Sequence, residues 1–214
     1  MIITNELGTP ALNTVHHCRA EALLSAMDNA SVDLVVTSPP YGDMRAYNGF
    51  AWNFEYIAQQ SYRVLKPGGV LVWVVGDSIQ KNSETFDSFK QAIYLKETVG
   101  FNAHQTIFFH DPGTAFPDKT RYTRQVEFCF VFSKGRPKSI NLIKQRNKWA
   151  GDSRPEGSVK RQREKDGSYS IRKRKLVKEY GVLGNLWTIG TGYGISHSDD
   201  YALDHPATFP ETLA

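Results

Sequence analysis

Thr37-Ser38-Pro39-Pro40-Tyr41 follows an apolar run, Val32 to Val36, that reads as a buried strand. The paired prolines lack N–H groups and have a fixed φ, so the turn is stiff and presents carbonyls. The Ser38 hydroxyl and the Pro39 carbonyl are two acceptors side by side. Such a pair suits an amine whose lone pair is delocalised into an aromatic ring. Accepting its hydrogens draws them out of the ring plane and frees the lone pair to attack a methyl sulfonium. Tyr41 offers a ring on which a base flipped out of a duplex can stack. The same residues also suit a plain Pro-rich turn capping a core strand, so the rest of the chain has to decide.

Trp52, Asn53 and Phe54 lead into a helical pattern with Phe54, Ile57, Ala58, Ser61, Tyr62 and Leu65 on one face. Lys66-Pro67-Gly68-Gly69 is expected to stop this helix and turn the chain. Val70 to Val75 then reads as a strand buried on both faces, ending at Gly76-Asp77. Near the end of the chain, Asp204-His205-Pro206-Ala207-Thr208-Phe209-Pro210-Glu211 has a capping-box spacing, Thr208 to Glu211, with Pro210 suited to a first helical turn. Free N–H groups at such a helix start can meet a carboxylate.

The Ser-Pro-Pro-Tyr turn resembles motif IV of the amino-methylating DNA methyltransferases, in the form typical of cytosine-N4 enzymes. The helix, Leu65-Lys66-Pro67-Gly68-Gly69 and the strand after it look like the middle of a class I methyltransferase domain. The segment from Asp204 to Glu211 resembles motif X, which lines the S-adenosylmethionine pocket. The order matches the β class, and the likeness runs from about Leu34 to the last residue. It implies an α/β fold with a partial Rossmann-like sheet. It implies S-adenosylmethionine as cofactor, double-stranded DNA as partner, and a place in DNA methylation of the restriction-modification kind. Ser38, Pro39, Pro40 and Tyr41 are then the catalytic residues. Thr37, Ser38, His205, Pro206, Phe209 and Pro210 are the cofactor-binding ones. Adenine N6 is the alternative target, and a non-catalytic DNA-binding fragment is the alternative class. In the β class a Gly-rich motif I follows motif X. The chain stops at Ala214 without it, and Gly190-Thr191-Gly192-Tyr193-Gly194 is no substitute. The expectation is therefore the first three quarters of a methyltransferase, with motif I on a second polypeptide if the enzyme is split.

The formal net charge of +4 hides an asymmetry. Lys134 to Lys178 holds sixteen Lys or Arg against four Asp or Glu. Asp152, Gly157, Asp166 and Gly167 are expected to break this stretch into loops. A charge run is commonly only a solvated surface. Where the family inserts its target-recognition region, the run is instead expected to neutralise DNA phosphates, through Lys144, Arg146, Lys148, Arg172, Lys173, Arg174 and Lys175. The expected domains are 1–135 (catalytic), 136–185 (basic insertion) and 186–214 (return to the catalytic part).

Phe86, Phe89 and Ile93 mark a further helix, opened by Ser83 or Thr85. Thr106–Phe109 and Val126–Phe132 read as an antiparallel pair closing one edge of the sheet. The long loop between them, Asp111 to Gln125, brings Arg121 and Arg124 as further DNA contacts. Asp43 and Arg45 are expected to order the loop over the target base. Asp77, at a strand's C-terminal end, suits a helix N-cap or support of the pocket. His16-His17-Cys18 is a poor metal site, since no second ligand cluster matches it, and no metal is expected. Cys18 and Cys129 are too few for a disulfide framework and read as reduced core thiols. No apolar run is long enough to span a membrane and no leader is visible, so the expected location is the cytoplasm.

Overall fold

The computed structural model describes residues 10–41, 52–113, 119–151, 159–173, 177–191, 210 and 212–213. These fall into two compact units, one formed by Met1–Ser139 with Asn185–Ala214 and the other by Ile140–Gly184.

The first unit is a five-stranded mixed sheet with helices. Its strands are β1 (Val32–Thr37), β2 (Leu65–Val75), β5 (Asn102–His110), β6 (Val126–Ser133) and β11 (Leu186–Thr188), in the order β1-β2-β6-β5-β11. β1 and β2 are parallel, as are β5 and β11, while β6 runs antiparallel to both β2 and β5. Parallel neighbours need a crossover. Helix α2 (Phe54–Val64) supplies it between β1 and β2, with the Asn53 side chain accepting from the Tyr56 amide at its start. At the far end of α2 the Lys134 ammonium donates to the Tyr62 and Leu65 carbonyls, at 2.7 and 2.9 Å, satisfying acceptors that the helix leaves open.

Period-2 alternation sends β2 to two faces. Leu71, Trp73 and Val75 join Ala58, Leu95, Phe101, Phe130 and Phe132 in the main core. Val74 joins Phe109 and Cys129 in a second cluster, with Leu213 packed against it. The buried Trp73 indole donates to Gln91 Oε1 at 2.8 Å, so its polar edge is satisfied.

Several expectations need correcting. β1 is not buried: Leu34 is 55% and Val36 40% exposed. Among the described residues β1 pairs with β2 alone. Helix α2 stops at Val64, as expected; the expected turn lies inside β2, as an irregular stretch with Gly68 at φ +82 rather than a turn ahead of the strand. Leu65 already pairs with Val32, and an irregularity separates that pair from Leu34–Val70. The β5–β6 pair does not close the sheet, because β11 lies beyond β5. The third helix, α3, is Asp87–Ile93, continued by a π-helical segment, Tyr94–Val99. Ser83 and Thr85 do not open it. Ser83 lies in a short hairpin of β3 (Ile79–Gln80) and β4 (Ser83–Glu84). Phe86, Phe89 and Ile93 are partly exposed, while Ser88 and Gln91 are buried. Cys18 is exposed and only Cys129 is a core thiol. Cys18 lies just before the short helix α1 (Ala20–Ala26), which shows no sequence signal of its own. An Arg63 guanidinium donation to Leu24 O ties down the end of α1.

The second unit holds two antiparallel ladders: β7 (Lys144–Arg146) with β10 (Tyr180–Val182), and β8 (Val159–Arg163) with β9 (Tyr169–Lys173). The basic run is thus not simply loops. Asp166 and Gly167 do form the β8–β9 turn, with Gly167 at φ +87, whereas Asp152 and Gly157 lie outside the described residues. Among the described residues, no helix is long and apolar enough to cross a membrane.

Candidate active site

The register pairs Thr37 with Trp73, so the C-terminal ends of the parallel strands β1 and β2 lie side by side. Open α/β sheets bind ligands beyond such strand ends. β6 is antiparallel, and its register of Val75 with Phe128 brings Glu127 to the same end. The Ser-Pro-Pro-Tyr turn stands there. Ser38 is exposed, Pro39 is buried, and Thr37, Pro40 and Tyr41 are half-buried.

The Ser38 hydroxyl and the Tyr41 phenol oxygen are 2.9 Å apart. The Tyr41 phenol donates to Glu127 Oε2, also at 2.9 Å. The three residues thus form a continuous hydrogen-bonded chain from an exposed hydroxyl to a carboxylate 86 positions along the sequence from Tyr41. Burial, and after it the Glu127 charge, pushes the Tyr41 phenol well above its ordinary pKa. Tyr41 therefore stays protonated and keeps donating. Burial also pushes the Cys129 thiol up to about 12, with Glu127 adding to the shift. Gly76 makes room for the array: a Cβ there would meet the Tyr41 ring at 3.4 Å and Glu127 Cγ at 3.6 Å.

Asp77 has a defined structural task. Its carboxylate accepts from the Ser88 amide at 2.9 Å and the Ser88 hydroxyl at 2.5 Å, capping the start of α3 from outside the helix. Next to it, the Ser78 hydroxyl is buried and has no hydrogen-bond partner among the described residues. At the neighbouring ends of β5 and β11, His110 Nδ1 lies 3.1 Å from Thr188 Oγ1, and the Thr191 hydroxyl donates to Asp111.

The remaining site expectations fall in one unit, in the other, or outside the described residues. Pro210 is buried, its carbonyl accepts from the Leu213 amide, and Leu213 packs against the second core cluster. His205, Pro206, Phe209, Asp43 and Arg45 lie outside the described residues. Arg121 donates to the Asn82 carbonyl at 2.7 Å, bracing the tip of the β3–β4 hairpin, and Arg124 is exposed. Lys144 and Arg146 are exposed on β7, and Arg146 lies 3.7 Å from Glu179. Lys148 sits over the Trp149 ring. Arg172, on β9 beside Lys173, pairs with Glu164 at 3.2 Å. Arg174 and Lys175 lie outside the described residues. Sequence reading missed Glu127. It sits inside the run Val126–Phe132, where a single carboxylate among apolar residues was the one available signal.

A family model described as DNA methylase matches residues 32–214. The chain belongs to this N6/N4 DNA methylase family, which is S-adenosylmethionine-dependent. It is 49% identical over 189 residues to the orphan methyltransferase M.BamHII of Bacillus amyloliquefaciens, covering 87% of this chain and 70% of that protein. It is 25% identical to the type II methyltransferase M.BglII of Bacillus subtilis, over 94% of this chain but 54% of the relative. Among solved structures it resembles the PvuII cytosine-N4-specific DNA methyltransferase, with a TM-score of 0.57 and 19% identity, over 91% of this chain and 64% of that one. The last likeness speaks for the fold: a class I methyltransferase sheet. The chain thus spans between about half and seven tenths of the length of these relatives.

The residues at the β1 and β2 ends fit the family's cofactor. Thr37 and Ser38, with the Glu127 carboxylate joined to Ser38 through Tyr41, put polar oxygens at the end of β1, which suits a sulfonium cation.

Proposed function

We propose that this protein methylates the exocyclic N4 amino group of cytosine in double-stranded DNA, in the cytoplasm. The observation that carries the reading is the Ser38–Tyr41–Glu127 chain, built on a Ser-Pro-Pro-Tyr turn at the C-terminal end of β1. Thr37, Ser38 and the segment His205, Pro206, Phe209 and Pro210 hold S-adenosylmethionine, which supplies an electrophilic methyl group when bound. Ser38, exposed at the rim of the site, accepts one amine hydrogen, and the Pro39 carbonyl accepts the other. Both hydrogens leave the ring plane and the nitrogen lone pair becomes available. Tyr41 stacks on the extruded base. Its phenol is held by Glu127, which fixes the ring against Gly76. Ser at the first motif position, in place of an acidic residue, favours cytosine over adenine by resemblance to the family.

Exposed Lys144 and Arg146 on β7 and Arg172 on β9 carry phosphate contacts, with Lys173 beside Arg172 in sequence. Such contacts position DNA without reading its sequence.

The test is nucleoside mass analysis. Unmodified phage DNA is incubated with the protein and labelled S-adenosylmethionine, then digested. N4-methylcytosine is the expected product. N6-methyladenine instead would transfer the proposal to adenine. No methylated nucleoside, with DNA binding intact, would make the chain a binding module.

A further inference from the structure

We infer that Glu127 is a positioning residue for methyl transfer and the destination of the proton that the amine gives up, an inference that rests on the function proposed above. The geometry is directional. Tyr41 can serve Glu127 only as donor, because a carboxylate accepts and does not donate. Its phenol proton therefore points at Glu127 Oε2, 2.9 Å away. The Tyr41 oxygen is left with lone pairs alone towards Ser38, so the Ser38 hydroxyl must donate to it across their 2.9 Å contact. With its own proton committed, Ser38 presents only lone pairs to the solvent-facing side, where it is exposed. That is the state required of an acceptor for an amine hydrogen. Glu127, which reaches the base only through Tyr41 and Ser38, sets it.

The same chain balances the reaction. As the amine nitrogen takes the methyl group it becomes cationic and acidic. Its N–H proton passes to Ser38 Oγ, the former Ser38 proton passes to the Tyr41 oxygen, and the former Tyr41 proton passes to Glu127. Ser38 and Tyr41 end as they began, the product amine is neutral, and Glu127 ends as a carboxylic acid. Glu127 then releases its proton to water. No oxidant or further reactant enters.

Glu127→Gln tests this, because a carboxamide oxygen still accepts from Tyr41 while the group can neither take the proton nor enforce the donor direction. Tyr41→Phe cuts the chain but keeps a ring for stacking. Methyl transfer from S-adenosylmethionine to unmodified phage DNA is measured in a single turnover for the wild type, both single variants and the double variant. The expected result for Glu127→Gln is a rate lower by about ten- to a hundredfold, with cofactor and DNA dissociation constants nearly unchanged. The double variant should be no slower than Tyr41→Phe alone, since both act through one chain. A Glu127→Gln rate within about twofold of wild type, or rate losses that multiply in the double variant, would overturn the inference.

A second readout needs no turnover. In protein carrying ¹³Cζ-tyrosine, the Tyr41 signal is assigned by its loss in Tyr41→Phe. The groups that bear on Tyr41 are Ser38, Glu127 and Cys129. Removing the Glu127 charge should let the phenol ionise at lower pH, and an unchanged titration would show that Glu127 does not hold it. A wild type that transfers no methyl group would sink the functional reading, and the titration would still decide whether the chain exists.

Discussion

Ser38 is the residue on which the proposed chemistry turns. It is the exposed terminus of a hydrogen-bonded chain whose other members are half-buried. Ser38→Ala should cut turnover by roughly ten- to a hundredfold, the equivalent of about 1.5–3 kcal/mol at the transition state, while cofactor affinity stays nearly constant. Kinetics beside calorimetry will separate the two quantities, and unaltered turnover would remove Ser38 from the mechanism. The two cysteines offer a sharper check on the site's environment. The thiolate is the reactive form. Burial, with help from Glu127, lifts Cys129 to about 12, so it is a neutral thiol at pH 8. Cys18 is exposed. A maleimide at pH 8 should therefore label Cys18 and spare Cys129 in the folded protein, with peptide mapping as the readout. Rapid labelling of both would contradict the packing of β6.

At the scale of elements, the helix α3 depends on a residue outside it. Its N-terminal neighbour Phe86 has φ 55 and offers no capping side chain. Asp77 does that work through two hydrogen bonds to Ser88, both buried. Asp77→Ala leaves those donors unpaired and should cost about 1–3 kcal/mol of stability. Chemical denaturation will show the shift as a lower midpoint with a similar slope. Asp77→Asn, which can still accept from the amide, should lose less. An equal stability for Asp77→Ala and wild type would mean that α3 holds itself by packing. The paired carboxylate contacts also explain why Asp77 is not free to act in the pocket: both of its oxygens are engaged.

At the scale of the whole chain, two features lead to solution behaviour. The basic unit places Lys144 and Arg146 on one strand and Arg172 and Lys173 on another. Replacing Arg172, Lys173, Arg174 and Lys175 by Ala should weaken DNA binding and flatten the slope of log affinity against log salt. A slope equal to that of wild type would mean that the cluster is only solvated. The second feature is β1, whose Leu34 and Val36 side chains are exposed and whose pairing, among the described residues, is one-sided. Apolar edges of this kind invite pairing with other chains, and a lysine is a natural guard against it. The protein is expected to self-associate, and Leu34→Lys should reduce the light scattering of concentrated solutions. A monodisperse wild type would show that the edge is protected.

The sequence by itself determined the motif turn, the strands β1, β2, β5 and β6 and the helix between β1 and β2, because each is written in local chemistry. Paired prolines admit few conformations, and apolar runs of six or so residues between Gly and Pro read as strands. It also determined the family, through Ser-Pro-Pro-Tyr and Leu-Lys-Pro-Gly-Gly in the right order. The tertiary structure alone decided what no local pattern encodes. Strand order and direction depend on which edges pair across tens of residues, so nothing near Leu186 announced a strand alongside β5. Exposure depends on neighbours, so an apolar run at β1 gave no warning that two of its side chains face solvent. Glu127 became a partner of Tyr41 only because an antiparallel register carries it to the end of the sheet where β1 and β2 terminate. That meeting is a property of the folded sheet, and the proposed site rests on it.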